Sequence, residues 1–334
     1  MRSAPEPPAA SAALGRGLAL TRLLAAALLA VTILSSTIAG DARAARAPAL
    51  SVRDGTVWRK FWSGDRAPVR WDAADPSLAR ALRWKPLAAG LVWADVRLEC
   101  AAPVWRARLI VARLDPRLVD LTLEMDLDRS VRAAWSLDRA PRDALLAVNA
   151  GQFTGAMPWG WVVIGGTQRL RPGYGPLSSA VAIDAAGRVR WFHGDSLLDP
   201  TGVVTGFQSY PTLLQGNGEI PLAVRAPGGV SLTHRDARLA LGQTREGALL
   251  IVMTRYDAMG KAAGGVPLGP TTPEMAAIMG ALGACDAVML DGGISAQLLL
   301  RDPAKKEPME WRGIRKVPLA LLARPRRAPS LGGR

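Results

Sequence analysis

The sequence predicts an α+β fold: a single β-rich domain with mixed sheets and few helices. Three observations predict it. Short apolar runs of β-compatible residues, closed by Gly, Pro, Asn or Asp, recur from Trp84 onward. Only one segment, residues 273–282, has both a strong helix start and a stop. No internal repeat interrupts this pattern. A β-sandwich satisfies the strand pattern equally well at this stage.

The chain has 334 residues, 49% hydrophobic and 21% charged, enough core material for one large domain or two small ones. Arg2, Arg16 and Arg22 precede an apolar run over residues 23–39, broken only by Ser and Thr. Ala42-Arg43-Ala44 then supplies small residues in an A-x-A arrangement. Residues 1–44 therefore read as a secretory signal peptide. The competing reading is an uncleaved N-terminal membrane anchor through residues 18–39, because the run is near the lower limit for a spanning helix. Either way the chain is expected to be exported: periplasmic, secreted or held at the outer face of the inner membrane. Residues 45–83 are rich in Arg, Trp, Pro and Asp, and Trp58, Trp62 and Trp71 follow no regular period. They are expected to form an irregular lead-in to a main domain over residues 84–323.

Within that domain, residues 91–98 and 104–111 read as paired strands, with Asp115-Pro116 ending the second. Residues 119–123 begin another strand, 131–137 a short helix, and 145–148 a strand that delivers Asn149. Residues 161–166 give a strand and turn. Residues 180–183 and 189–192 form a hairpin around Ala185-Ala186-Gly187. Residues 209–214 form a strand closed by Gly216-Asn217-Gly218. Arg238 to Gly242 and residues 248–253 bracket Thr244-Arg245-Glu246-Gly247, a hairpin signal. The helix follows. Either Thr272 caps it with Pro273 at the first helical position, or Thr271 and Glu274 form a capping box. Met275, Ile278, Met279 and Leu282 line one face, and Gly283 stops it. Residues 287–290 are a buried strand running into Asp291-Gly292-Gly293. An extended continuation puts Asp291, Gly293, Ser295 and Gln297 on one face; a tight hairpin leaves Asp291 at a turn.

Two blocks, Ala147-Val148-Asn149-Ala150-Gly151-Gln152-Phe153 and residues 269–298 with their Asp-Gly-Gly centre, resemble the phosphodiester glycosidase family. The resemblance runs over residues 84–322 and favours the α+β arrangement. It implies an exported hydrolase of a sugar–phosphate diester in an envelope glycan, with a phosphorylated or anionic glycan as its partner. In that reading Asp291, Arg238 and Asn149 are catalytic, and Gly151, His234, Gly292, Gly293, Ser295, Gln297 and Thr271 bind substrate. The chemistry of these residue types agrees. A carboxylate stabilises the positive charge developing at an anomeric centre. A planar guanidinium fits phosphate oxygens. An amide bonds sugar hydroxyls in both directions. The chain departs from the family pattern at Leu239, where Thr is usual, at Gln152, and at Ile294, which stands for a third glycine. A non-catalytic envelope glycan-binding or exopolysaccharide-assembly protein on the same scaffold is the rival reading.

Asp195, Glu219, Asp236 and Asp257 are equivalent candidates for a second acid. Of the two histidines, His193 and His234, the latter lies four residues before Arg238. No Gly-x-Ser-x-Gly elbow occurs, and Gly264-Gly265 lacks the Lys and Ser/Thr of a phosphate-binding loop. No cofactor motif is evident and no Cys/His cluster has zinc spacing. A divalent cation would find hard oxygen ligands at Asp291, Asn149 and backbone carbonyls. Cys100 and Cys285 either pair or serve as small buried hydrophobes. The net charge is +14, and residues 301–334 hold ten Lys/Arg against three Asp/Glu. Residues 324–334 read as a flexible basic tail that adds solubilising charge. No nucleic-acid-binding motif accompanies it, so no nucleic-acid partner is expected.

Overall fold

The computed structural model describes residues 47–102, 104–196, 198–227, 230–256 and 269–326. The signal or anchor segment, Asp257, Gly264-Gly265 and residues 327–334 of the basic tail lie outside them. No helix among the described residues is long and apolar enough to cross a membrane.

A nine-stranded sheet forms the centre. Its strands lie in the order Thr212–Leu214, Ala284–Leu290, Leu239–Thr244, Leu249–Tyr256, Val104–Leu114, Leu91–Ala101, Ala49–Asp54 and Val57–Ser63, with Lys85–Ala88 also paired to Leu91–Ala101. The inner strands are apolar at nearly every position because both faces are covered. Alternate residues go to two different cores. Ala240, Leu250, Val252, Ala287 and Met289 join the helices Pro76–Ala81 and Thr272–Ala281 in one core. Leu239, Leu241, Ile251, Met253, Val288 and Leu290 face two five-stranded sheets in the other. The first of these contains Val162–Ile164, Val203–Ser209, Ser179–Asp184 and Val189–His193; the second contains Leu298–Leu300, Leu146–Asn149, Leu319–Pro325 and Val119–Met125.

The structure is β-rich with few helices, as expected. The expectation of mixed sheets is corrected: every ladder between the described strands is antiparallel. Parallel neighbours need long, usually helical, crossovers. The only long helix described, Thr272–Ala281, connects into an antiparallel ladder.

Two local readings also change. The described part of the lead-in, residues 47–83, is not irregular. Ala49–Asp54 and Val57–Ser63 pair as a hairpin on the large sheet, and Pro76–Ala81 is a helix capped by Asp75, which accepts from the amides of Ser77 and Leu78. The bulge between Leu50 and Ser51 breaks the alternation and hides the strand from a period-based reading. Residues 131–136 are not helical, and Leu137 only opens the 3-10 turn Leu137–Arg139. Asp128 accepts the amides of Ser130 and Arg132 in a tight turn, and Val131 takes φ +56°, which a helix does not allow. Trp135 then bridges to Val317, with its ring buried.

Candidate active site

The large sheet delivers two charges side by side. Its ladder between Leu239–Thr244 and Ala284–Leu290 ends at the pair Leu239↔Leu290. Arg238 and Asp291 each follow one residue beyond it. By alternation with Ala240 and Met289, both turn toward the face that carries the helix Thr272–Ala281. Arg238 is fixed on three sides. Its amide donates to Thr254 Oγ1 (2.8 Å), its Nε to the Pro270 carbonyl (3.0 Å), and its Nη2 to the His234 carbonyl (2.6 Å). Pro270 lies just before the helix, so the guanidinium is moored to the helix entrance.

The helix start uses the capping box. Thr271 Oγ1 accepts from the Glu274 amide (3.3 Å), and Glu274 Oε2 accepts from the Thr271 amide (2.9 Å). Glu274 also takes a two-pronged ion pair from Arg235, at 2.7 and 2.9 Å. Thr271 is thus 5% exposed and spent on the cap, which corrects its expected role on substrate. His234 is mostly exposed, and its Nε2 lies 3.9 Å from Asp236 Oδ2.

The strand ends at 149 and 291 meet, through the main chain. The Asp291 amide donates to the Gly151 carbonyl (3.1 Å). Asn149 Nδ2 donates to the Asp291 carbonyl (2.8 Å), while Asn149 Oδ1 accepts the Gln297 amide (2.9 Å). Both ends of a 1%-exposed amide are therefore committed to holding the backbone around Asp291. Gln297 is likewise a strut, its Oε1 accepting the Leu137 amide (3.1 Å). The roles foreseen for Asn149 and Gln297 on sugar are corrected to positioning. Among the described residues no three His, Cys, Asp or Glu side chains converge as a metal set.

After Asp291 the chain neither stays extended nor turns as a hairpin. Gly293–Ser295 forms one 3-10 turn. Gly293 takes φ +55°, and a Cβ there would stand 2.6 Å from Asp236 Oδ2. Its amide donates to the Ala237 carbonyl (2.7 Å). Glycine is needed on both counts, and the turn brings Asp236 against the Asp291 loop. Ile294 is 48% exposed and points outward, while its carbonyl accepts the amides of Ile314 (2.8 Å) and Arg315 (3.0 Å). The departure at Ile294 therefore leaves the floor of the site unchanged. Leu239, the other departure, is fully buried in the inter-sheet core.

Burial holds the Asp291 carboxyl above its ordinary 3.8; the Ser295 hydroxyl, which it accepts, and the charge of Arg315 pull it down, and Asp236 pushes it up again. Burial lowers the Arg238 pKa, Asp236 and Glu274 support its charge, and Arg235 opposes it. No ion pair of Arg238 is found among the described residues, so its charge is left for another anion. Arg315 stacks over Phe153 at 4.4 Å.

Asp291 and Ser295 are in contact, Arg238 lies one residue beyond the same ladder end as Asp291, and Gly151, Gly292 and Gly293 shape the backbone around them. Of the three candidate acids among the described residues, Asp236 is the one that acts on Asp291. Asp195 takes the Gly175 amide instead, and Glu219 faces Arg70. Arg315 was not foreseen. It is an exposed arginine in a polar stretch, and only the hydrogen bonds to Ile294 place it. His193 serves structure, held between Ser179 Oγ (2.8 Å) and Asp286 Oδ1 (2.9 Å). Both cysteines are free and buried.

The sequence profile of the phosphodiester glycosidase family matches residues 142–324, more than half of the chain and a span that holds every residue of this site. No curated protein sequence matches. Among solved structures, the catalytic domain of the zebrafish N-acetylglucosamine-1-phosphodiester alpha-N-acetylglucosaminidase, auto-inhibited by its pro-peptide, is similar in fold. It is 18% identical with a TM-score of 0.56, over 78% of this chain and 92% of that one. A hypothetical protein from Synechocystis is 15% identical with a TM-score of 0.46, over 83% of this chain and 68% of that one. A putative exported protein from Burkholderia pseudomallei is 17% identical with a TM-score of 0.44, over 66% of this chain and 74% of that one.

Proposed function

This chain belongs to the phosphodiester glycosidase family, and from that premise we propose that it is an exported hydrolase of glycosyl phosphodiesters in envelope glycans. The observation that carries the reading is a mostly buried carboxylate, Asp291, that accepts the Ser295 hydroxyl and feels a second acid, Asp236, and one guanidinium, Arg315, with Arg238 just beyond the same ladder end. In the reaction the bond from the anomeric carbon to the phosphate oxygen breaks. A phosphate monoester leaves with the bonding electrons, and water supplies the hydroxyl of the released sugar. Phosphate leaves without strong acid help, so the main demand falls on the anomeric carbon. Asp291 meets it as base or nucleophile, held in one orientation by the Ser295 hydroxyl. Asp236 is the second carboxylate. Arg238 and Arg315 neutralise the departing phosphate.

The test is release of free sugar from a hexosyl-1-phosphate alkyl ester by the purified protein. Turnover is expected from the parent and not from Asp291→Asn. A folded Asp291→Asn variant with normal turnover would overturn the assignment. The rival reading, a non-catalytic glycan-binding or exopolysaccharide-assembly protein, draws on Ile294 and Leu239. Neither side chain reaches the carboxylates, which supports catalysis. Binding of acidic glycans without turnover of any phosphodiester would select the rival. Export is supported by residues 1–44, and amino-terminal sequencing of the protein recovered from cell envelopes checks it.

A further inference from the structure

Three large apolar side chains that stand exposed, Tyr174, Tyr210 and Leu222, open onto one cleft of about 680 Å³. Trp159, Leu177 and Pro227 line it too. Scattered exposed apolar residues need no explanation, but a concave group of them marks a binding surface. Tyr174 is 86% exposed, so its ring does not serve the protein's own interior.

The cleft straddles the edge of the large sheet, beside its outermost strand Thr212–Leu214. On the helix side its wall is the short helix Leu222–Arg225, whose Val224 is buried in the helix-side core. On the other side the wall comes from Trp159 and residues 174–178, in the segments that lead into Val162–Ile164 and Ser179–Asp184. The two walls face each other past the edge of the sheet.

The cleft is also tied to the strand that delivers Asp291. Tyr210 precedes the edge strand, which pairs with Ala284–Leu290 at Thr212↔Val288, and the Pro211 carbonyl accepts the Met289 amide (3.0 Å). Gln152 closes the link. Its carbonyl accepts the Trp159 amide (2.8 Å), and its Nε2 donates to the Tyr210 carbonyl (3.1 Å). Gly151, one residue earlier, holds the Asp291 amide. The two rings meet edge to face at 4.6 Å, and a Cβ at Gly173 would stand 2.8 Å from Trp159. The departure from the family pattern at Gln152 thus has a use: it fastens both aromatic walls to the backbone beside the acid.

The lining selects the occupant. The chain carries a net charge of +14, yet none of the described residues lining this cleft is charged. A phosphate finds no partner there. Sugar hydroxyls need amides, carboxylates or guanidiniums around an aromatic face. The Ser178 hydroxyl is already spent on the carbonyls of Gly175 (2.9 Å) and Gly194 (3.1 Å). A hydrocarbon asks only for apolar area.

We propose that this cleft holds a hydrocarbon chain on the alcohol side of the phosphate, which makes the substrate a lipid-linked glycosyl phosphodiester. That the chain belongs to the substrate rests on the function proposed above. The cleft itself rests on its lining and on the Gln152 link. The polar end of such a molecule meets Asp291 and Arg238, and the apolar end lies past the edge of the sheet.

The probes are ethyl, hexyl and decyl phosphate, titrated calorimetrically into the full chain below the micelle concentration. Each buried methylene is expected to tighten binding by up to about fourfold, and decyl phosphate to bind at least about tenfold tighter than ethyl phosphate. Tyr174→Ser with Leu222→Ser, both exposed positions, should erase most of that gain. The control Val57→Ser with Val104→Ser, exposed on other strands, should keep it. No gain with chain length in the parent, or equal loss in both double variants, would overturn the cleft. An uncharged hexose oligosaccharide that binds the parent and not the first double variant would overturn it in favour of sugar. A dimer that the same variant dissolves would overturn it in favour of a second copy of this chain. Among substrates, the decyl ester of a hexosyl-1-phosphate should be cleaved with a higher kcat/KM than the ethyl ester. Equal kcat/KM for the two, with no gain in binding, sinks the cleft and leaves the hydrolase standing. Binding that grows with chain length while neither ester is turned over sinks the hydrolase and leaves the cleft standing.

Discussion

Asp291 works against its own burial. Removal from water favours its neutral form, while the Ser295 hydroxyl and Arg315 favour the charged form that the reaction needs. The acid limb of kcat/KM is therefore expected above the ordinary 3.8. Arg315→Ala should move that limb up and Asp236→Asn should move it down, both read from pH–rate profiles. Loss of the carboxylate in Asp291→Asn should lower kcat/KM by about 10²–10⁴-fold. Its stability effect has a definite sign. A carboxyl whose folded pKa is raised loses stability as pH climbs from the unfolded value through the folded one. Asp291→Asn should thus be at least as stable as the parent at neutral pH, with the difference closing near pH 3.8 in denaturant titrations. Asn149→Ala should behave in the opposite way. It leaves the Gln297 amide and the Asp291 carbonyl unpaired, at about 1–3 kcal/mol for each buried group. Asp291 and Arg238 were legible in the sequence because each stands at the end of a local apolar run. Asp236 and Arg315 were not, because what singles them out is a neighbour far away in the chain.

At the scale of the element, the helix Thr272–Ala281 and its cap were readable from a few consecutive residues, and the two competing caps resolve to Thr271. Thr271→Ala should cost about 1 kcal/mol. Glu274→Gln should cost more, because it breaks a pair in which the acid is 1% exposed and leaves the Arg235 charge without its partner. Breaking such a buried pair costs about 3–5 kcal/mol. Thermal melts of the two variants order them. The hairpins at 180–193 and 238–253 were equally legible, since alternation and a turn residue suffice to define them. Residues 131–137 misled because Asp128, outside the apolar window, sets their turn.

The whole molecule is organised by a central sheet with a different core on each face. Strands buried twice should open last. Backbone hydrogen exchange is expected to be slowest in Leu239–Thr244, Leu249–Tyr256 and Ala284–Leu290, and Leu241→Ala should cost about 2–5 kcal/mol. Sequence alone showed that the strands exist but not that their ladders are antiparallel throughout, because pairing is a long-range choice. One consequence follows from Asn149, which belongs to a small sheet yet grips the chain at the tip of the large one. The acid is riveted across the seam between two layers. Turnover of the proposed reaction is then a gauge of how well the layers are seated: mild denaturant should silence it while the circular dichroism is still intact, because a slip along the seam unseats the carboxylate before any strand melts.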